Sequence, residues 1–318
     1  MLIRKIIPCL LALAMLTGLT QGAEQAAKKR VLCTTFPIYQ ITRNVTQGRD
    51  AVVVSLMIPA GMGCPHDYAL TPQDMKKIAE ADILVVNGLG MEEFLGAPIG
   101  KANPNVIVID SSKGIKGTLY MTGEDEEDEK EAKNEQHEEG HHHHEGPNPH
   151  LFASPRMAAQ LAINIAEELS KTDANGAALY KKNAEEYALR LRKLADEFAA
   201  TGRTLKNNRI VTQHGVFDYL ARDTGLEIVA VVQEHAGQEP SAAKMLSVAK
   251  AIREKKAGAI FTEPQYPAAT GETLARETGI PAATLDPAAS GPENAGLDYY
   301  EKVMKANLET LKSVLGTK

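Results

Sequence analysis

The chain of 318 residues has no tryptophan and three cysteines, and aromatic residues make up 5% of it. So few cysteines exclude a disulfide-dense scaffold. Apolar and charged fractions of 43% and 24% exclude a collagen-like or wholly disordered chain. Beyond the first 23 residues there is no long apolar run free of charge, which excludes a multi-span membrane protein. Positive charge is also short: the formal net charge is −6. That balance offers no basic surface, so no nucleic-acid partner is expected. The acidity is concentrated in residues 124–145, which hold eleven Asp/Glu against two Lys, and the rest of the chain is close to neutral.

Residues 1–23 read as a secretory signal peptide: Arg4 and Lys5, then the apolar run Ile6–Thr20, then the small residues Gly22 and Ala23. Cys9 lies inside the apolar run with no apolar segment before it, a poor place for lipid attachment. The expectation is a mature protein with no lipid anchor. Export implies an oxidising compartment. Of the two cysteines left, Cys33 and Cys64, three readings stand: a disulfide between them, two buried thiols, or Cys64 as a metal ligand.

Short β-rich runs alternate with helical ones. Strands are expected at Val31–Thr35, Val52–Ile58, Ile83–Asn87 and Val106–Asp110. They are continuous apolar runs, the pattern of a parallel sheet buried on both faces. Thr71-Pro72-Gln73-Asp74 is a helix start, with Thr as N-cap, Pro in the first turn and an acid three residues on. The longest helix is expected over Ala178–Phe198, with Tyr180, Ala184, Tyr187, Leu191 and Leu194 on one stripe. A second series follows, with strands at Arg209–Gln213, Leu226–Val232, Gly258–Thr262 and Pro281–Leu285. The fold class is therefore α/β, two parallel-sheet lobes joined by a long backbone helix. The divisions are 1–23 for the signal peptide, 24–172 for the first lobe, 173–205 for the linker helix and 206–318 for the second lobe.

Histidine is as unevenly spread as the acids. Five of nine (His137, His141, His142, His143, His144) lie in the acidic tract, and only His66, His150, His214 and His235 lie outside it. Interleaved imidazoles and carboxylates in HEEGHHHHEG would bind divalent metals loosely, although acidic runs are usually just solvated linkers. Open parallel sheets bind ligands at the carboxyl ends of their strands. His66, in GMGCPHDY, and His150, in GPNPH, fall in loops of the first lobe. His214 and Asp286 directly follow strands of the second. Three imidazoles and one carboxylate make a full tetrahedral shell for Zn2+. Glu263, also at a strand end, reads as an alternative ligand, as an acceptor that orients a histidine, or as a helix N-terminal acid. His235, in the polar run QEHAGQEP, reads as a solvated histidine, with a role at the rim of the site as the alternative.

These residues carry a resemblance over nearly all of the mature chain. TTFPIYQITRNVTQG, CPHDYALTPQDMKKIAEADILVVNG, NPHLFASP, QHGVFDYLARDTGLEIV, QEPSAAKM, FTEPQY and TLDP resemble the landmarks of the zinc- and manganese-binding solute-binding proteins of ABC importers, most of all the zinc-uptake (ZnuA-like) branch. The resemblance implies a rigid two-lobe fold with metal in the cleft. It carries His66, His150 and His214 onto the family's three histidines and Asp286 onto its fourth-ligand aspartate. Manganese-preferring relatives often have Glu at the third position, where this chain has His214, which favours zinc. A charged His-rich loop before the second histidine is also typical of zinc members. The chain departs from the pattern in LFASP, where the family often has a Trp and an Asp, and in Cys64 two residues before His66. Cys64 there puts a thiol near the metal, or a disulfide to Cys33 that stiffens the loop.

The expected function is that of a periplasmic monomer. It captures Zn2+ in the inter-lobe cleft and delivers it to an ABC importer, a membrane permease with its cytoplasmic ATPase. Mn2+ is the alternative cargo. The rival readings are a metal chaperone with no importer and a zinc hydrolase with Glu263 as base, and no HExxH motif supports the hydrolase.

Overall fold

The computed structural model describes residues 28–65, 68–120, 146–233 and 238–316. The expected signal peptide with Cys9, His66, the acidic tract with its five histidines, and His235 lie outside the described residues.

The first sheet is built from β1 (Lys29–Cys33), β2 (Val52–Leu56), β3 (Ile83–Val86) and β4 (Ile107–Asp110). Their order is β2-β1-β3-β4, and every pairing is parallel. Connecting them are α1 (Phe36–Thr46), α2 (Pro72–Glu80) and α3 (Gly96–Ala102). At α2 the expected capping box is present: the Thr71 side chain accepts from the Asp74 amide, and Asp74 accepts from the Thr71 amide. α3 is an element the sequence reading lacks. Its residues, GAPIGKA, include two glycines and a proline and give no apolar stripe.

Two helices follow, α4 (Pro155–Thr172) and the 28-residue α5 (Ala177–Thr204). They pack against each other along their length, and α5 also touches α1 and two helices of the second half. The expected stripe of Tyr180, Ala184, Tyr187, Leu191 and Leu194 is buried throughout. At the far end of α5, a Cβ on Gly202 would lie 1.7 Å from the Thr224 carbonyl oxygen, so only glycine permits that approach.

The second sheet repeats the first. It contains β5 (Arg209–Thr212), β6 (Glu227–Val231), β7 (Ala259–Thr262) and β8 (Ala282–Thr284), in the order β6-β5-β7-β8 and again all parallel. Its helices are α6 (Asp218–Thr224), α7 (Ala242–Lys255), α8 (Ala269–Thr278) and α9 (Tyr299–Leu315). One apolar core runs from Val31 and Ile83 in the first sheet, through Leu161, Tyr187 and Phe198, to Ile210 and Phe261 in the second. The two sheets are thus wedged on a shared helical layer. In each, the strand order reverses beside the first strand, between β1 and β3 and between β5 and β7. Doubly wound sheets leave a ligand crevice at that switch point, outside the strand carboxyl ends.

Candidate metal centre

His214 stands two residues beyond β5, and Glu263 immediately follows β7, so both sit at the second sheet's switch point. Both are buried. The His214 ring Nδ1 lies 2.5 Å from Glu263 Oε1. A carboxylate can only accept, so Nδ1 carries the proton, and in the neutral ring Nε2 keeps a lone pair. Nε2 is buried and has no hydrogen-bond partner among the described residues. Burying such an atom unpaired is costly unless something else is meant to meet it. Glu263 itself is fixed three ways: Oε1 accepts from His214 Nδ1, its backbone amide donates to Gln213 Oε1 at 2.8 Å, and its second oxygen accepts from Gln265 Nε2 at 2.7 Å.

His150 comes from the connector between the first sheet and α4. Asn148 aims it. Asn148 Oδ1 accepts from the His150 backbone amide at 3.0 Å and stands 2.8 Å from ring Nδ1. Asn148 Nδ2 donates to Asp218 Oδ2 and to the Gly215 carbonyl, which sets the amide's orientation and leaves Oδ1 for the ring. Burial pushes the Asp218 carboxyl up to about 6, and the nearby His214 and the Asn148 hydrogen bond pull the other way. The His150 Nε2 therefore also faces inward. The two rings meet edge to face with centroids 5.6 Å apart.

The connector around His150 is pinned from the second half. Tyr219 donates to the Asn148 carbonyl at 2.7 Å, Tyr300 to the Phe152 carbonyl at 2.7 Å, and Ser154 to Asp223 at 2.6 Å. In LFASP, Phe152 is buried edge-on against His150, and Ser154 is the N-cap of α4. From the first sheet, the Asn87 amide holds the Pro149 carbonyl at 2.9 Å.

Cys64 is the third member. Its sulfur lies 3.1 Å from His150 Nε2. One donor atom each from Cys64, His150 and His214 lie within 4.8 Å of one another, the one such group among the described residues. The loop carrying Cys64 follows β2, and the Cys64 amide donates to Tyr266 Oη at 3.0 Å, across to the loop after β7. Tyr266 also stacks edge-on against His214. Loops from both sheets thus converge on one point.

The structure brings two of the four expected ligands together, His150 and His214, while His66 lies outside the described residues. Asp286 does not belong to that group of three. Its Oδ1 accepts from the Ala288 amide at 2.8 Å, closing a turn whose Ala288 has φ 59°, and Asn307 grips its backbone from α9. Burial, together with the charge on Glu263, raises its carboxyl to about 6. The disulfide reading is corrected: Cys33 and Cys64 are not joined. Cys33 points into the core beside Thr42, where burial pushes its thiol up to about 12, while Cys64 faces His150. Asn148 and Tyr266 were missed as positioning residues. Asn148 was open to inference, because an Asn two residues before a position commonly captures that backbone amide.

Residues 31–314 match the model of the family described as "Zinc-uptake complex component A periplasmic". The chain belongs to this family. It is 31% identical, over 93% of its length and 91% of the relative's, to the high-affinity zinc uptake system protein ZnuA of Bacillus subtilis (strain 168). Among solved structures it resembles the SBP FpvC from Pseudomonas aeruginosa in complex with Mn2+, at 30% identity and TM-score 0.76, covering 91% of this chain and 98% of that one. It also resembles Zn(II)-bound AdcA from Streptococcus pneumoniae, at 29% identity and TM-score 0.73, covering 92% of this chain and 59% of AdcA. The expected α/β architecture with two parallel sheets and a long helix is therefore that of the family's metal-binding relatives. No described helix is long and apolar enough to cross a membrane.

Proposed function

We propose that the protein captures Zn2+ in the crevice between its two sheets and hands it to an ABC importer on the outer face of the cytoplasmic membrane. The observation that carries this reading is the buried Nε2 of His214, unpartnered among the described residues, on a ring that stands edge to face with His150 while Glu263 holds its Nδ1. Both histidines have the opposite nitrogen on an oxygen acceptor, the usual means of fixing tautomer and direction in a metal-ligating imidazole. His66 is the further imidazole that the sequence assigns to the same ion. Imidazole-rich sets suit zinc, whereas oxygen-rich sets suit manganese.

The reading is one of binding rather than catalysis. A hydrolase would need Glu263 as a base beside a metal-bound water. Both Glu263 oxygens are taken, by His214 and by the Gln265 amide. Kinship with a zinc-uptake component supports hand-over to a permease and its ATPase. The His-rich tract is assigned loose, preliminary metal capture.

Competitive titration of Zn2+ against Mn2+ tests the reading, in the whole protein and in a variant lacking residues 124–145. The base of that tract is closed by an antiparallel bridge between Tyr120 and Pro147, so the deletion joins neighbouring ends. One tight zinc per chain in both proteins is expected, lost in His214→Ala, with Mn2+ a poor competitor. Tight Mn2+ instead would overturn the cargo, and zinc bound only when 124–145 is present would overturn the site.

A further inference from the structure

We infer that Cys64, and not Asp286, supplies the anionic ligand of this metal site, as a thiolate. The inference rests on the zinc reading above and deepens it. Three independent features point to Cys64. Its sulfur is 3.1 Å from His150 Nε2 and lies within the 4.8 Å group that includes a donor atom of His214, whose buried Nε2 has no partner among the described residues. Its backbone is held from the opposite loop by Tyr266, the residue that also flanks His214. Its carboxylate rival, Asp286, is turned to its own backbone at Ala288 and stands outside the group.

The distances suit the ion. Zn–S and Zn–N bonds of about 2.3 and 2.0–2.1 Å at a tetrahedral angle set sulfur and nitrogen about 3.5 Å apart. The Cys64–His150 separation of 3.1 Å needs only a few tenths of an ångström of opening, and the other pairs, within 4.8 Å, close by at most about 1.5 Å. On binding, the Cys64 S–H bond breaks, its proton passes to solvent, and the sulfur lone pair forms the Zn–S bond. No electron is transferred. A thiolate is a soft ligand, favoured by zinc and disfavoured by manganese, so Cys64 also becomes a determinant of selectivity. The remaining cysteine of the exported chain, Cys33, is fully buried on β1 and takes no part.

Cobalt substitution reads the bond directly, because thiolate bound to Co2+ gives an intense near-ultraviolet charge-transfer band that imidazole and carboxylate do not. The exported protein is titrated with Co2+, then with Zn2+, alongside Cys64→Ser, Cys33→Ser and Asp286→Asn. The expected result is one band-forming Co2+ per chain in the wild type, Cys33→Ser and Asp286→Asn, bleached by one equivalent of Zn2+ and absent in Cys64→Ser. Cys64→Ser should weaken zinc by more than the roughly 10–100-fold that the outer partners of a ligand cost. It should also narrow the preference for zinc over manganese, while Asp286→Asn leaves zinc affinity within a few-fold. Tight binding of one Co2+ and one Zn2+ with no sulfur band would overturn the Cys64 assignment and leave the zinc reading standing. A band that survives Cys64→Ser, or a larger zinc loss in Asp286→Asn than in Cys64→Ser, would also overturn it. No tight zinc or cobalt at all would overturn both.

Discussion

Glu263→Gln removes one charge from the wall of the site and almost no volume. Glu263 accepts on both oxygens, from His214 Nδ1 at 2.5 Å and from Gln265 Nε2 at 2.7 Å, while 1% exposed. Glutamine has one acceptor and one donor end. If its oxygen faces His214, its amide confronts the Gln265 amide. If its amide faces His214, the ring must move its proton to Nε2, the atom meant for the metal. The first arrangement keeps its hydrogen bonds only if Gln265 turns its own buried, unpartnered oxygen to the new amide, and even then the carboxylate charge behind His214 is lost; the second costs the correct tautomer. Loss of such an outer partner typically lowers metal affinity about 10–100-fold. That factor is about 1.4–2.8 kcal/mol of binding free energy. The assay is zinc competition against a chromophoric chelator at neutral pH, with circular dichroism to check the fold. Affinity within two-fold of wild type would refute the claim that Glu263 sets the His214 tautomer.

Three further outcomes follow from named contacts. The Asp286 carboxyl is raised to about 6 by burial, so its ionisation opposes folding; the stability it allows is full below its ordinary value near 3.8 and is lost as pH rises through about 6. Metal-free Asp286→Asn, which keeps the acceptor for Ala288, should therefore match wild type at pH 3.5 and exceed it at pH 7 by on the order of 1–3 kcal/mol in urea unfolding. Asp173 has the opposite sign: the Arg49 fork at 2.9 and 3.0 Å holds its carboxyl down to about 2, against the pull of burial and with help from Tyr180. Its stabilisation is full above about pH 4 and lost as pH falls toward 2. Asp173→Asn should thus cost about 1–2 kcal/mol at neutral pH and progressively less in acid. Gly202→Ala should gain about 1 kcal/mol from helix propensity alone. With the Thr224 carbonyl 1.7 Å from the new Cβ, the structure predicts a loss of about 1–3 kcal/mol, measured by denaturant unfolding.

Much of the fold was legible because its signals are local. The continuous apolar runs became the eight parallel strands, with ends within a few residues of those expected. Thr71 and Asp74 formed their capping box, and the stripe on α5 became the shared core. Helix α3 was hidden because its glycines and proline argue against a helix that tertiary packing nevertheless forms. The site was legible in position and less so in geometry. Strand-end placement picked out His150, His214 and Glu263, and it put Asp286 in the right loop. It could not show that the Asp286 side chain is occupied by Ala288. Nor could it show Cys64 against His150, a contact across 86 positions that depends on two loops being pinned from opposite sheets.

A zinc-edge anomalous difference map from crystals grown with one equivalent of Zn2+ tests the central claim most directly. The account predicts a single ion about 2.0–2.1 Å from the Nε2 atoms of both His150 and His214. An ion bound only by the histidines of residues 137–144, with the His214 Nε2 still unmet, would contradict it.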